Sequence, residues 1–466
     1  MGQTFYPDTI DQTLLFPPSL HDWLPEGHLA RFLVDVVSAL DLSDIYKSYS
    51  LKDGRGQAAY APEMMVRLLL YGYASGVYSS RKIQNRTYDD LAFRYLSGDQ
   101  HPDHATIAEF RKRHLQALSS LFTQALLLCS EAGLIKLGHV SIDGTKIKAN
   151  ASKHKAMSYK RMNETEARLK QEIDALLAAA EKTDAEEDAR FGKGQRGDQL
   201  PDELQRREAR LKKIQEAKAS LEQAAHEQAE LEREEAKKKL AAREEEEQRT
   251  GKKKRGRKPQ QPSAEQAQPE DAAQRNFVDP ESRIMPDGGN KGSFVQGYNA
   301  QIAVDSASQI IVAAEVTQET NDKQQLVPML AQVAANLGKK PEKVSADTGY
   351  FSEANVTNAS VQDVDLYVAT GRIKHDDVKE YSSEPAPLGV SPQEAMHHKL
   401  RTEAGHAVYK MRKAIVEPVF GQIKEARGFR RFSLRGKEHV RCEWRLVCTV
   451  SNLLKLFRSG WMPQIA

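Results

Sequence analysis

The sequence has few cysteines and lacks the residue patterns that build disulfide frameworks, zinc sites and membrane spans. It has three cysteines, an odd number with no CxxC spacing, which argues against a disulfide framework or a zinc knuckle. Its thirteen histidines show neither HxxxH nor HExxH spacing, so zinc hydrolase chemistry is not indicated. The longest apolar stretches, such as Leu68–Ala74, are too short to cross a bilayer. No secretory signal is visible at the N-terminus, and we expect a soluble cytoplasmic protein in a reducing compartment.

Charged residues are plentiful but unevenly distributed. The 466 residues are 39% hydrophobic and 29% charged, with a formal net charge of only +3. That length predicts two or three domains rather than one core. Between Tyr409 and Arg458, however, 13 Lys or Arg stand against four Glu and no Asp. Such a local excess of positive charge is typical of a phosphate-binding surface.

Residues 1–132 are predicted to form a helical DNA-binding domain. Apolar residues follow Pro62 at helical spacing, a second helix is predicted from Ser80 to Tyr95, and a third begins near Asp103 and runs on through Phe122. The third helix carries a basic run that includes Arg111 and Arg113. Short turns between helices with such a run fit a helix-turn-helix-like DNA binder. A helical domain with a solvated basic face remains an equal alternative.

Residues 155–275 read as an insertion with two different parts. Leucine, isoleucine and alanine recur at heptad-like spacing among charged residues, which predicts a coiled coil or long helix. The positions are Leu204, Leu211, Ile214, Leu221 and Ala225. A basic run, Lys252–Pro259, follows and leads into a Pro/Gln-rich stretch that predicts disorder. The basic run resembles an AT-hook with Lys258 at the place of its core proline; a flexible linker is the alternative.

The flanking segments, residues 133–154 and 276–460, are predicted to form one α/β core. Three strand-like runs are followed by a helix, a strand, a helix, a further strand and then helices. This order is that of a ribonuclease-H-like fold, with the insertion between its first two core strands. In such a sheet the first and fourth strands can lie side by side. Acids that end those two strands would then meet at one edge of the sheet.

Three acids are candidates for a metal site in this core. Asp143 and Asp347 each end a strand-like run, and Glu417 lies on a strongly basic helix. Two aspartates and a glutamate suit two Mg²⁺ or Mn²⁺ ions per site, because these ions prefer hard oxygen ligands and together activate and stabilise the oxygens of a phosphodiester. Taken singly, the aspartates could be turn residues and Glu417 a surface acid paired with Lys413. Glu425 is the rival for the third position.

Other nearby acids have simpler interpretations. Asp103 and Asp322 each precede a predicted helix and are most simply N-caps. Asp305 follows a strand and is predicted to lie in a hairpin turn.

These residues resemble the DDE transposases of bacterial insertion sequences, in the insertion-sequence-four/five-like branch. Asp143-Gly-Thr and Asp347-Thr-Gly-Tyr look like the two aspartate motifs of that family. Tyr409, Arg412, Glu417 and Lys424 match its Tyr-x2-Arg-x3-Glu-x6-Lys signature, except that four residues separate Arg412 from Glu417. The N-terminal region is similar to the helical domain that precedes the catalytic core in this group.

The resemblance implies cleavage at transposon ends and attack of the resulting 3′-hydroxyl on target DNA. Arg412 and Lys424 would hold phosphates, Tyr409 would pack on DNA, and the helical N-terminus would recognise the terminal inverted repeats. Pairing of two ends implies at least a homodimer on DNA. Two alternatives stay open: a metal-dependent nuclease of the same fold, and a non-catalytic DNA-binding protein derived from a transposase.

Overall fold

The computed structural model describes residues 19–50, 58–191, 202–250, 267–287, 292–371 and 389–463. The chain forms two compact units. The core unit comprises Met1–Ile147 and Asn299–Ala466, and the inserted unit comprises Lys148–Tyr298. The predicted Lys252–Pro259 basic run lies outside the described residues. Within the described residues, no helix is long and apolar enough to cross a membrane.

Helices dominate the described part of the chain before the first strand. They are α1 (Leu20–Trp23), α2 (Leu29–Ala39), α3 (Ser43–Ser50), α4 (Pro62–Ala74), α5 (Ser80–Asp89), α6 (Leu91–Ser97), α7 (His104–Arg113) and α8 (Leu115–Glu131). Pro62 occupies the first turn of α4, where its missing N–H costs nothing. The predicted cap at Asp103 is also present, since its side chain accepts a hydrogen bond from Thr106 N.

Two of the predicted helices are each divided in the structure. The helix predicted from Ser80 to Tyr95 is interrupted at Asp90, whose carboxylate accepts hydrogen bonds from the N–H groups of Ala92 and Phe93 and so starts α6. The helix predicted to continue through Phe122 is interrupted at His114, which ends α7 and precedes α8. At Asp90, a side chain that satisfies the free N–H groups of a new helix favours the break.

The remaining elements alternate as the sequence predicts, with extra short strands in the inserted unit. The strands are β1 (His139–Lys148), β2 (Ala156–Ser158), β3 (Gln274–Asn276), β4 (Arg283–Pro286), β5 (Phe294–Asp305), β6 (Ile311–Thr317), β7 (Lys343–Ala346) and β8 (Asp365–Val368). The helices are α9 (Tyr159–Phe191), α10 (Asp202–Thr250), α11 (Leu326–Leu337), α12 (Glu353–Val356), α13 (Pro392–Arg401), α14 (Glu403–Gly421) and α15 (Lys437–Arg458).

A mixed sheet forms the centre of the core unit. Strand β6 pairs with β5, which neighbours β1, followed by β7 and β8. The β5–β6 pair is an antiparallel hairpin, whereas β7 is parallel to both β1 and β8. Helix α15 packs against α8 and β6, and its Trp444 is fully buried and donates from Nε1 to the Gln301 carbonyl. The predicted adjacency of the first and fourth core strands is confirmed.

The inserted unit is built on two helices that pack against each other. Contacts of Tyr159 with Glu222 and of Glu166 with Lys218 show that α9 and α10 run in opposite directions. Their shared apolar cluster includes Met162, Leu169, Ile214 and Leu221. Predicted heptad positions in α10 therefore form a core, as the long-helix pattern suggested. Strands β2 and β3 form a small antiparallel sheet beside them, which the sequence patterns did not predict.

Charged side chains are buried beneath the N-terminal helices. Arg111 is only 8% exposed, and its guanidinium donates to the Tyr73 hydroxyl and the Tyr78 carbonyl. Glu443 is 1% exposed and accepts from the same Tyr73 hydroxyl and from the backbone N–H of Ser433. A charge so enclosed must be hydrogen-bonded, because an unpaired one would carry its full desolvation cost. This network is a structural element of the core unit.

Replacing Arg111 with Met should therefore reduce the free energy of unfolding by about 2–3 kcal/mol, since a charged hydrogen-bond partner of a buried group is lost. The matched change Arg113→Met should alter it by less than about 1 kcal/mol, because Arg113 is 41% exposed and forms only a surface ion pair with Glu109. Denaturant unfolding monitored by circular dichroism measures both. Equal losses for the two variants would contradict the structural role of Arg111.

Candidate active site

The parallel pairing of β1 with β7 determines the position of the first two candidate acids. The register aligns His139 with Lys343 and Ile142 with Ala346. Asp143 and Asp347 are the residues that follow this last pair, so their backbones lie side by side. The predicted strand end at Asp143 is wrong, because β1 continues to Lys148. Asp347, in contrast, directly follows β7.

Asp143 is held between an attractive and a repulsive charge. Its Oδ2 lies 3.0 Å from Nη1 of Arg412, and Gly144 N donates to its Oδ1 at 2.8 Å. The side chains of Arg412 and Asp143 are 11% and 19% exposed. Burial raises the pKa of Asp143 to about 6; Arg412 opposes this rise and the neighbouring Asp347 adds to it. The Asp143 carboxylate is thus costly to keep charged without a cation beside it.

Asp347 has a local backbone partner. Its Oδ1 accepts a hydrogen bond of 2.9 Å from Gly349 N, at the start of a 3₁₀ turn over Thr348–Tyr350. Burial raises the pKa of Asp347, while the Gly349 N–H group and Arg412 act in the opposite direction. Both aspartates are therefore partly buried, and the Arg412 guanidinium lowers the pKa of each.

Helix α14 and the turn after it supply the predicted signature residues. Tyr409 and Arg412 are partly buried and contact each other. A π-helical turn, Gln422–Ala426, follows α14; such turns change the register of a helix and are common at functional sites. Within it, Lys424 donates a hydrogen bond to Thr145, two residues after Asp143 on β1. The segment therefore contacts β1 through both Arg412 and Lys424.

Glu417 lies elsewhere on this helix. It is exposed, and the five-residue step from Arg412 to Glu417 rotates it by about 140° around the axis. The family signature would place its glutamate one residue earlier, at Val416, which is fully buried. The described residues contain no group of three or more His, Cys, Asp or Glu able to hold a metal. The structure brings Asp143 and Asp347 together, and does not add Glu417 to them.

The alternatives for the third acid differ in their partners. The ion pair between Glu417 and Lys413 that a surface role would give is not among the salt bridges of the described residues. Glu425 is exposed, and its carboxylate is paired with Arg430. Asp305 is fully buried and accepts from Leu137 N and Ala307 N, so it has a structural role at the end of β5.

Asp322 is a member of the site that the sequence patterns did not identify. It is not an N-cap, because α11 begins at Leu326 after Gln325. Its Oδ1 accepts from Nδ2 of Asn299 and Nε2 of Gln301, each at 2.6 Å, and lies 3.8 Å from Nζ of Lys146. Asn299 and Gln301 are fully buried in β5. Two amides on one face of a buried strand were the available signal, since such groups require polar partners.

Gly144 makes the approach of this cluster to β1 possible. A Cβ at residue 144 would lie 2.9 Å from Asn299 Oδ1 and 2.9 Å from Asp322 Oδ1, and would also overlap the Gln301 amide. Asn299 Oδ1 is a buried acceptor with no hydrogen-bond partner among the described residues. Tyr350 donates its hydroxyl hydrogen to Gln301 Oε1, so the second strand-end segment supports the same amide.

The donor atoms suit a hard divalent cation by type, although the described residues do not bring three acidic ligands to one ion. Asp143, Asp347 and Asp322 bring three carboxylates into one region, whereas Arg412 and Lys146 are the cations that offset them. Carboxylate and amide oxygens are the ligands that Mg²⁺ and Mn²⁺ prefer. Asn299 Oδ1 adds a free amide oxygen beside them.

The predicted DNA contacts on α7 differ in exposure. Arg113 is at the surface beside Glu109. Arg111 is enclosed by Tyr73 and Tyr78, and a buried guanidinium with backbone and side-chain acceptors is placed to stabilise the fold rather than to contact DNA.

Comparison with known families gives two matches. Residues 18–113 match the family described as Transposase domain (DUF772), and residues 244–453 match the one described as Transposase DDE domain. Together they identify a DDE-type transposase. The DDE domain implies a ribonuclease-H-like core for this transposase, in agreement with the observed sheet. Transposases bind DNA, and DDE enzymes generally use divalent metal ions. No curated protein and no solved structure matches the chain.

The matches do not resolve the finer expectations. Neither specifies the insertion-sequence-four/five-like branch, which stays a prediction. The DDE match includes Asp322, Asp347 and Glu417, while Asp143 precedes it.

The close approach at Gly144 yields a direct test of this site. Gly144→Ala should displace the Asp322 cluster, and we expect it to lower the thermal unfolding temperature by several degrees, as an overpacked site costs about 1–3 kcal/mol. Gly138→Ala, one residue before the same strand, is the matched control because no atom lies within 4 Å of its added Cβ. Differential scanning calorimetry measures both. Unchanged stability of the Gly144 variant would show that the cluster is not packed as described.

Proposed function

We propose that this transposase cleaves the ends of its mobile element and joins the resulting 3′-hydroxyl to target DNA at the site of Asp143 and Asp347. The observation that supports it is the parallel pairing of β1 with β7, whose register ends at Ile142 and Ala346 and so brings the next residues, Asp143 and Asp347, side by side. Contacts to β1 from Arg412 and Lys424 on the basic C-terminal segment accompany it.

Asp143, Asp347 and Glu417 would hold the metal, two Mg²⁺ or Mn²⁺ ions per site. When bound, these ions supply an activated oxygen nucleophile and a stabilised leaving oxygen for each phosphoryl transfer. The strand-borne aspartates provide rigidly placed oxygens. Glu417 is exposed on the neighbouring helix and forms no ion pair among the described residues. As the third ligand it would have to move toward the two aspartates when the metal binds.

Cationic side chains of the same segment have two tasks in this proposal. Arg412 compensates the charge of Asp143 in the absence of substrate, and its guanidinium is suited to a DNA phosphate when Asp143 takes up a cation. Lys424, next to Thr145, would hold a phosphate near the cleavage point, and Tyr409 would pack on the DNA beside Arg412. These contacts position the backbone and carry no sequence information.

Recognition of the terminal inverted repeats is assigned to the helical N-terminal segment, with Arg113 as a surface contact and Arg111 as its buried support. Two ends must be joined in one reaction, so we propose a homodimer in the DNA complex. Because its substrate is chromosomal or plasmid DNA, we place the reaction in the bacterial cytoplasm, with the protein associated with the nucleoid when bound.

Removing any one of the three acids should abolish cleavage without loss of end binding. Asp143→Asn, Asp347→Asn and Glu417→Gln each remove a charged oxygen ligand worth several kcal/mol in the transition state, which is at least about 100-fold in rate. Glu425→Gln is the matched control and should retain activity. Cleavage of labelled terminal-repeat DNA measures the rate, and a mobility-shift assay measures binding. An active Glu417 variant with an inactive Glu425 variant would reverse the third assignment.

The joining step separates a transposase from a nuclease of the same fold. Pre-cleaved ends with a free 3′-hydroxyl should be joined to a target plasmid by the wild-type protein in the presence of Mg²⁺ or Mn²⁺, because both steps use the same in-line geometry. Products are followed by gel electrophoresis of labelled ends, with the Asp347→Asn variant as control. Hydrolysis of target DNA without any joined product would favour the nuclease.

A further inference from the structure

The inserted unit contains a cavity that the catalytic site does not explain. It lies between the first turns of α9, the N-terminal half of α10 and the segments around β2 and β3, with a volume of about 510 Å³. Five of its lining side chains are basic, namely His154, Lys155, Arg161, Arg210 and Lys213. No Asp or Glu of the described residues lines it.

In the described part of the chain, the cations of this cavity lack the charge partners that some other cations of the same helices have. Elsewhere, α9 and α10 pair their charges: Lys218 contacts Glu166 at 3.1 Å, and Arg207 contacts Glu172 at 3.4 Å. Arg161, Arg210 and Lys213 have no ion-pair partner among the described residues of the inserted unit, although acids such as Glu164 and Glu216 are close in sequence. Clustered positive charge without internal compensation favours an anionic ligand.

The inner wall of the cavity is apolar and fixed in place. Met157, Ile214 and Phe277 line it. Met157 and Ile214 belong to the buried cluster between α9 and α10, and Phe277 packs against that cluster. The cavity is therefore preformed by the core of the inserted unit rather than by mobile surface side chains. Cations above an apolar wall match a chain of phosphates joined by apolar sugar rings.

We propose that this cavity binds the sugar–phosphate backbone of DNA, as a second contact region of the transposase outside its catalytic site. The inference rests on the proposed function insofar as DNA is the substrate. A small anion such as inorganic phosphate shares the charge but has no group for the apolar wall. Backbone contacts of this kind are independent of sequence, so the cavity would add affinity for DNA in general and leave recognition of the ends to other residues.

The test compares two variants with the same loss of charge on the same two helices. The test variant is R161Q/R210Q/K213Q. The control variant is K160Q/R206Q/K212Q, whose side chains are also exposed on α9 and α10 but do not line the cavity. Full-length proteins are titrated with fluorescent DNA by anisotropy at several salt concentrations, with circular dichroism to compare their folding.

We expect the test variant to bind both terminal-repeat and unrelated duplexes about tenfold or more weakly than the control, and the slope of log K against log salt to fall by about 2–3, since each lost phosphate contact removes about 0.9. The charge-retaining variant R161K/R210K should bind like the wild type. Equal affinities of the test and control variants would overturn the inference.

Further outcomes distinguish failure of the cavity assignment from failure of the proposed function. If the wild type binds and cleaves DNA while the test and control variants match, only the cavity assignment fails. If the wild type binds no DNA, the proposed function fails as well. Stabilisation of the wild type, but not of the test variant, by inorganic phosphate at constant ionic strength, together with equal DNA affinities, would show a site for small anions and would also overturn the inference.

Discussion

Parallel pairing of β1 with β7 is the constraint on which the site depends. It places Asp143 beside Asp347, and two partly buried carboxylates in that position repel each other unless cations compensate them. Because successive side chains of β1 point to opposite faces of the sheet, cations reach the carboxylates from both faces. Asp143 and Thr145 contact Arg412 and Lys424. On the alternate positions, Gly144 and Lys146 approach Asp322. The contacts to α14 and the turn after it, and those to Asp322, thus all start from the same short run of β1.

Helix α14 contains the residues of the family signature, but it does not bring Glu417 to the two aspartates. One extra residue between Arg412 and Glu417 leaves Val416 facing the core, and Glu417 on the exposed side. The inward position on α14 is then occupied by Arg412, whose charge matches that of Asp143. In the described geometry the guanidinium of Arg412 is paired with the carboxylate of Asp143. Under the proposed function, a metal ion that binds Asp143 would take the place of this guanidinium.

Sequence patterns predicted the parts of this structure that depend on local order along the chain. Strand order placed Asp143 and Asp347 on adjacent strands, and helical spacing located α4 and α10. The parts that the sequence patterns did not predict depend on partners far away in the sequence. Asp322 is held by Asn299 and Gln301, more than twenty residues away, and its position before a helix suggested only a cap. Arg111 lies in a basic run in which no local feature tells a buried guanidinium from a solvated one.

The inserted unit enters and leaves the chain at neighbouring points. Ala149 N donates a hydrogen bond of 2.9 Å to the Gln296 carbonyl, so the two ends of a segment of well over a hundred residues are only one strand spacing apart. Because the entropy of closing a loop grows only slowly with its length, this junction accommodates helices of very different length at similar cost. Evolution can thus lengthen, shorten or exchange the insertion while the strand that carries Asp143 keeps its register.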